Sequence, residues 1–247
     1  MLTPEAFVLV FFTFLVAGTL KGTVGLGLPL VAIVFLAIPL GFKEAIAIVL
    51  LPGFVTNIFQ AFGGPYLRKL LLRLWSFMLA CIIGTWLGVN ILFIASQHLL
   101  LSVLGIVLAA YSLYSLNTPQ FSLQERFEKV LGPICGGLAG TLYGMTSVFL
   151  VPGIMYLQAL GFKKNEMVQA LGIVFIVLNV AMASAFLEKG FFSQEVTTMS
   201  VFAVAPALIG IFLGQKFRHR ISEDVFRKLF FQVLLVIAIY FFVSAQF

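Results

Sequence analysis

The sequence predicts an all-α integral membrane protein with two inverted-topology repeats of four hydrophobic segments, the first segment of each broken or re-entrant. Three observations predict this fold class. The 247 residues are 62% hydrophobic and only 10% charged, and so few charges cannot cover a soluble surface. Short motifs recur in the same order in both halves of the chain. Basic loops follow different segments in the two halves, as inversion requires.

The hydrophobic segments have lengths typical of a membrane protein. A spanning helix needs about 20 apolar residues, which six of the eight segments provide. The first and fifth are too long for one helix, and each contains a polar break, KGTVGLG at 21–27 and TLYGMTS at 141–147. The segments are 5–38, 44–62, 74–95, 98–116, 130–160, 167–186, 197–215 and 226–246.

Four short matches indicate an internal duplication. They are AGTLKG at 17–22 with AGTLYG at 139–144, LGFK at 40–43 with LGFK at 160–163, GTWLG at 84–88 with GIFLG at 210–214, and Asn57 with Asn179. All keep their order at offsets between 120 and 126. The chain therefore divides into an N-terminal membrane repeat, 1–120, and a C-terminal membrane repeat, 121–247, which together form one transmembrane domain.

Basic residues predict opposite orientations for the two repeats. Loops 63–73 and 216–228 are rich in Lys and Arg, which predicts the cytoplasmic side for both. Loop 187–196 is the counterpart of the first and carries two glutamates against one lysine, so it is predicted to be external. Inversion needs an odd number of crossings per half. The broken first segment must then be a re-entrant hairpin or two full helices, and both chain ends are external.

The two polar breaks are the predicted substrate-binding site. Irregular backbone at membrane depth is tolerated only where protein or a water-filled cavity covers it. A helix that begins there directs free N–H groups and its positive end toward the protein centre, which favours an anion. Lys21 adds a full charge. The residues predicted to bind substrate are Lys21, Gly22, Thr23, Gly25, Gly27, Asn57, Gln60, Thr141, Tyr143, Gly144, Thr146, Ser147 and Asn179.

Purely structural explanations compete with each of these assignments. Glycines in membrane helices often serve close packing, and buried asparagines often join helices. Lys21 would extend to the surface if the bend lay near one. Two GxxxG pairs are assigned to helix packing, Gly84 with Gly88 and Gly210 with Gly214.

The sequence also disfavours several function classes. No Asp or Glu lies inside an apolar segment, so a carboxylate proton relay is not predicted. No GxxxxGK[ST] loop is present, which argues against direct ATP-driven transport. No catalytic triad, zinc or paired-acid pattern appears, so the prediction is a non-enzyme without cofactor or metal. Cys81 and Cys135 lie in apolar surroundings and are interpreted as small hydrophobes.

Each half continues from its glycine-rich break through an apolar run to GFKEA or GFKKNEMVQA. In this pattern the chain resembles the sulfite exporter TauE/SafE family along essentially its whole length. The matching stretches are Gly22–Pro29, Leu40–Ala45, Gly144–Pro152 and Leu160–Ala170. The resemblance implies an integral membrane transporter, from a mostly bacterial family linked to export of sulfite, organosulfonates or related small anions.

Residues and resemblance together predict a multi-pass secondary transporter of the cytoplasmic membrane that exports sulfite or an organosulfonate. An anion channel or facilitator is an alternative, as is a transporter of another small carboxylate or sulfur compound. The predicted partners are a small anionic substrate and membrane lipid. The basic pI of about 9.5 is explained by cytoplasmic loops rather than by nucleic acid. The sequence leaves the oligomeric state open, with a homodimer among the options.

Overall fold

A computed structural model describes residues 2–25, 27–117 and 123–217, and within these ranges the regular structure is entirely helical. The helices are α1 Pro4–Val24, α2 Leu28–Leu40, α3 Phe42–Phe62, α4 Leu67–Ile94, α5 Gln97–Asn117, α6 Glu125–Thr146, α7 Met155–Ala159, α8 Lys164–Glu188 and α9 Gln194–Phe217. A π-helical turn, Leu150–Ile154, leads into α7. The predicted segment 226–246 and most of the basic loop 216–228 lie outside the described residues.

Helix length and composition identify a multi-pass membrane protein. Five helices are long and apolar enough to cross a membrane: Pro4–Thr23 of α1, α3, α4, α8 and Gln194–Lys216 of α9. Large apolar side chains such as Leu72, Trp75 and Phe212 are more than half exposed, which suits a lipid-facing surface and not water. The all-α integral membrane class predicted from composition is confirmed.

The first break separates α1 from α2 at two glycines. Gly25 ends α1 with a φ of 91°, and Gly27 precedes α2 with a φ of 102°, backbone conformations that favour glycine. α2 packs against both α1 and α3. Its 13 residues span roughly 20 Å at about 1.5 Å per residue, less than the roughly 30 Å of a bilayer core.

The second break lies at the position predicted from the repeat. α6 ends at Thr146, and Ser147 follows in the left-handed region with a φ of 57°. The Thr146 hydroxyl accepts a hydrogen bond from the Val148 amide at 3.2 Å, so a side chain satisfies backbone that the helix no longer serves. Both long segments are therefore broken helices.

Helices of the two halves pack against each other in matching pairs. α1 packs along α9, and α6 packs along α4, with the residue numbers rising in the same direction within each pair. A methyl group at Gly84 would overlap the Gly137 carbonyl oxygen, and one at Gly210 would overlap the Leu15 carbonyl oxygen. These close approaches confirm the packing role assigned to the GxxxG pairs.

The counterpart helices α3 and α8 run antiparallel to each other. Gly53 lies against Asn179, and Ala61 lies against Gly172. Farther along α3, the Gly64 carbonyl accepts a hydrogen bond from Gln169 at 2.8 Å. Residue numbers thus rise along α3 while they fall along α8.

The helix ends gather at two faces of the protein. At the face called here the basic end, Lys69 pairs with Glu166 at 2.7 Å and Arg73 pairs with Glu128 at 2.5 Å. At the opposite end, the Lys43 ammonium lies 4.9 Å from the centre of the Phe93 ring. α3 and α9 end at the basic end, whereas α4 and α8 end at the opposite end.

Candidate functional site: a cavity that ends at Lys21

A cavity of about 730 Å³ enters the protein from the basic end. Its rim contains exposed residues that follow α3, begin α8 or end α9, whereas its inner end is buried. The residues that line it are Lys21, Gly22, Gly25, Thr56, Phe59, Gln60, Gly63, Gly64, Pro65, Tyr66, Asn165, Val168, Gln169, Leu208, Ile211, Phe212 and Gln215.

Lys21 occupies the inner end of the cavity and is only 6% exposed. Its ammonium donates to the Thr56 hydroxyl at 2.9 Å and to the Asn57 side-chain oxygen. The Thr56 hydroxyl in turn donates to the Pro52 carbonyl at 2.8 Å. The lysine is thus directed inward onto α3 and does not reach the surface. Because an ammonium has three donors, one remains for a ligand.

The charge of Lys21 has no acidic partner in the cavity. None of the described residues that line it is Asp or Glu, and Thr56 and Asn57 are neutral acceptors. A buried charge is costly unless it is paired and hydrogen-bonded. A bound anion would supply the missing charge, so the inner end of the cavity has the chemistry of an anion site.

The glycines of the first break do not all present free amides. The Gly25 amide donates to the Lys21 carbonyl at 2.7 Å, so it closes the last turn of α1. The Gly25 carbonyl accepts from the Gln60 side chain at 2.8 Å. The oxygen of that same Gln60 amide is buried without a partner. Side chains of Lys21 and Gln60, more than backbone amides, therefore face a ligand here.

The second break repeats this hydrogen bond with a different donor. The Tyr143 hydroxyl donates to the Asn179 side-chain oxygen at 3.0 Å. Tyr143 stands 122 positions after Lys21, and Asn179 stands 122 positions after Asn57. Tyr143 is 0% exposed and Asn179 is 3% exposed, and neither lines the cavity at Lys21.

Other predicted site residues lie in helix interfaces. The Thr23 hydroxyl donates to the Thr19 and Gly214 carbonyls at 2.8 and 3.3 Å. The Thr141 hydroxyl donates to the Gly137 carbonyl at 2.9 Å. Gly144 packs closely on α4.

The two breaks approach each other at a much smaller cavity of about 20 Å³. Gly27 lines it from the first half and Ser147 from the second. Thr146 caps the adjoining backbone, as described above. The thirteen predicted residues therefore divide among the large cavity, a sealed tyrosine–asparagine pair, helix interfaces and this junction, and they do not form one cage.

Sequence reasoning missed two buried polar residues of the large cavity, Thr56 and Gln169. Gln169 donates to the Ala61 and Gly64 carbonyls at 2.8 Å each and accepts from the Tyr66 amide at 3.0 Å. It thereby fixes the rim of the cavity. The sequence feature that could have identified Gln169 is a side-chain amide inside an apolar segment, which is the feature that identified Asn57. Thr56 had none, because threonine in a membrane helix usually bonds its own backbone.

Comparison with known proteins agrees with the predicted resemblance. The profile of the family described as sulfite exporter TauE/SafE matches residues 10–241. Searches of curated proteins and of solved structures gave no match. Members of the family are transporters rather than enzymes. Since the match spans nearly the whole chain, the protein belongs to the sulfite exporter TauE/SafE family of membrane transporters.

Proposed function

We propose that this protein is a secondary transporter that carries sulfite or an organosulfonate across the cytoplasmic membrane and binds it at Lys21. The observation that carries the proposal is the buried Lys21 ammonium, held by neutral acceptors at the end of a cavity without acidic lining residues among those described. Family membership supports a sulfur anion as the substrate.

The lining of the cavity supports an anion with one charge, such as hydrogen sulfite or a sulfonate. Lys21 is the cation at its inner end, and the neighbouring polar groups, such as Gln60 and Thr56, are neutral. Phe59 and Phe212 add apolar wall. The cavity volume of about 730 Å³ is much larger than a bare sulfite ion, which leaves room for the organic group of a sulfonate.

Among the described residues, the large cavity opens toward the basic end, which supports a carrier over a channel. The cavity reaches the basic end, which the positive-inside rule assigns to the cytoplasm. Toward the opposite end, Tyr143 and Phe186 are fully buried. Carriers expose a central site to one side at a time, whereas a conducting channel needs a continuous path.

Helix directions support the proposed inversion of the two repeats. α3 and α8 are counterpart segments, and they run antiparallel. The pairs α1 with α9 and α6 with α4 exchange partners between the halves in the way a two-fold axis in the membrane plane requires. The short α2, packed on α1, supports a re-entrant hairpin over two full crossings.

Counterflow in proteoliposomes tests the transport mechanism. We expect unlabelled sulfite inside the vesicles to accelerate uptake of radiolabelled sulfite under anaerobic conditions. Equal uptake with and without internal sulfite would identify a channel.

The same assay tests the role of Lys21. Lys21→Met should weaken sulfite binding about 10- to 100-fold, because a hydrogen bond to a charged group contributes roughly 1.5–3 kcal/mol. Lys189→Met is the matched control, since Lys189 is exposed at the opposite end. Wild-type transport by Lys21→Met would place the site elsewhere.

Thiol labelling tests the inverted topology. Pro65→Cys and Lys189→Cys are introduced one at a time, with Cys81 and Cys135 replaced by serine. A membrane-impermeant maleimide should label position 65 only from the cytoplasm and position 189 only from outside. Labelling of both from the same side would contradict the inversion.

A further inference from the structure

We propose that Tyr143, Asn179 and Ser147 form a second anion station that faces the end of the protein opposite to Lys21 and is sealed by Phe186 in this conformation. The inference rests on the proposed function, because it places a second station on the same route. It differs from the single substrate-binding site predicted from the sequence, because it assigns these residues to another side and another conformation.

The first support is the repeated hydrogen bond. Lys21 and Asn57 are 36 positions apart, as are Tyr143 and Asn179. In each half the bond joins the last turn of the helix before the break, α1 or α6, to the next long helix, α3 or α8. A movement that opened the second half as the first is open now would connect Tyr143 to the opposite end, as the cavity connects Lys21 to the basic end in this conformation.

The second support is two buried hydroxyls near the second break. The Ser147 hydroxyl, one helical turn after Tyr143, faces the Tyr143 hydroxyl and makes no further hydrogen bond among the described residues. The Thr85 hydroxyl is buried without a hydrogen-bond partner among the described residues, and the Thr85 carbonyl lies against Gly144. Buried polar groups are normally satisfied. An anion or water in an opened station would satisfy both hydroxyls.

The third support is Phe186, which stands in the second half where the first half has a glycine at the rim of the cavity. Adding 122 to Gly64 gives Phe186. Gly64 leaves the first-half cavity open, whereas the Phe186 ring is fully buried. It packs against Phe93 at 5.3 Å and Phe191 at 5.4 Å between ring centroids. These rings are called here the aromatic plug. Phe186 lies seven residues beyond Asn179 on α8, toward the opposite end, where the plug would block a path to Tyr143.

The donors of the second station suit release of an anion. Tyr143, Asn179 and Ser147 offer neutral hydroxyl and amide groups, whose hydrogen bonds to an anion are weaker than those of an ammonium. An anion that leaves Lys21 would therefore meet a station of lower affinity before it reaches the opposite solution.

Thiol accessibility tests the sealed station without any substrate. The probe is Met182→Cys, introduced into protein in which Cys81 and Cys135 are replaced by serine. Met182 is the second-half counterpart of Gln60. A charged, impermeant methanethiosulfonate applied from the opposite end should react slowly. Adding Phe186→Ala should speed the reaction about tenfold or more, because loss of buried ring contacts destabilises the closed form.

Phe77→Ala is the control for general loosening, since Phe77 is buried and its ring packs on Phe149 and Tyr156 and not on the rings of the aromatic plug. The proposal fails if Phe186→Ala leaves the reaction as slow as before, or if Phe77→Ala accelerates it equally.

A conservative variant tests the station if Phe186→Ala does not fold. Tyr143→Phe removes only the hydroxyl. Sulfite binding to detergent-solubilised protein, which occurs at Lys21, should stay within about twofold of wild type, while counterflow slows about tenfold.

Unchanged counterflow in Tyr143→Phe would overturn the second station. Loss of equilibrium binding as large as in Lys21→Met would also overturn it, because both residues would then serve one site. If instead the proposed function is wrong, Lys21→Met will bind and transport sulfite like the wild type, and this result distinguishes the two failures.

Discussion

The two breaks of this transporter share one design and differ in a single donor. In the first half, Lys21 donates to Asn57, and in the second half Tyr143 donates to Asn179. Lys21 lies at the end of a cavity that reaches the basic end, whereas Tyr143 is completely buried. One break thus carries a charged donor and the other a neutral donor.

The acceptors around each donor explain why the exchange is tolerated. Lys21 has a second acceptor in the Thr56 hydroxyl. The counterpart of Thr56, 122 positions later, is Leu178, which is buried and apolar. A phenol has one donor and needs one acceptor, whereas an ammonium has three donors. Each environment therefore matches its own donor and not the other.

The largest effect is expected when the second break is made like the first. Tyr143→Lys buries an ammonium at a position where Asn179 accepts one hydrogen bond and Leu178, the counterpart of Thr56, is apolar. We expect a loss of about 3 kcal/mol or more in stability, the scale of an uncompensated buried charge. Thermal unfolding in detergent measures it. Tyr143→Lys combined with Leu178→Thr should recover part of the loss, and no recovery would contradict this account of the acceptors.

The reverse exchange should affect binding and leave the fold intact. Lys21→Tyr keeps a donor for Asn57 and removes the charge. Sulfite affinity should fall about 100-fold, near 3 kcal/mol, as expected for loss of a charge-assisted hydrogen bond. Isothermal titration measures the affinity and thermal unfolding checks the fold. Wild-type affinity would show that the difference between the two breaks does not concern the substrate.

Glycine substitutions compare the helix packing of the two halves. Gly18→Ala would overlap the Ala207 carbonyl, and Gly140→Ala would overlap the Cys81 carbonyl. Each should cost about 1–3 kcal/mol through overpacking, seen as a lower unfolding temperature. Gly137→Ala is the control on α6, because no atom lies within 4 Å of the added carbon. Equal loss in the control would contradict the interface explanation.

The smallest effect is expected at Thr56. Thr56→Val removes one acceptor from the Lys21 ammonium and should lower stability by about 1 kcal/mol. Saturating sulfite should reduce this loss, since an anion replaces the acceptor. Thr23→Val is the control, because its hydroxyl donates only to backbone carbonyls. The unfolding temperature of each variant is measured with and without sulfite. If sulfite raises it equally in Thr56→Val and Thr23→Val, Thr56 has no direct role at the anion site.

Local features of the sequence predicted much of this fold. Hydropathy located the helices, because burial in lipid depends on the composition of about 20 consecutive residues. Gly25, Gly27 and Ser147 lie at the breaks, where backbone with positive φ interrupts the helices. The candidate site was predicted less completely. Asn57 and Gln60 were identified as polar residues in apolar segments, whereas Thr56 and Gln169 acquire their roles only from residues distant in the chain.

The sequence alone determined the membrane class, the two breaks and the presence of a lysine in an apolar segment, because each follows from composition or spacing within a short window, and it predicted the duplication. Only the tertiary structure decided that Lys21 lies in an open cavity while Tyr143 is sealed, and that each GxxxG pair packs on the broken helix of the other half. Packing between distant helices sets burial, and burial determines whether a polar group can meet a ligand.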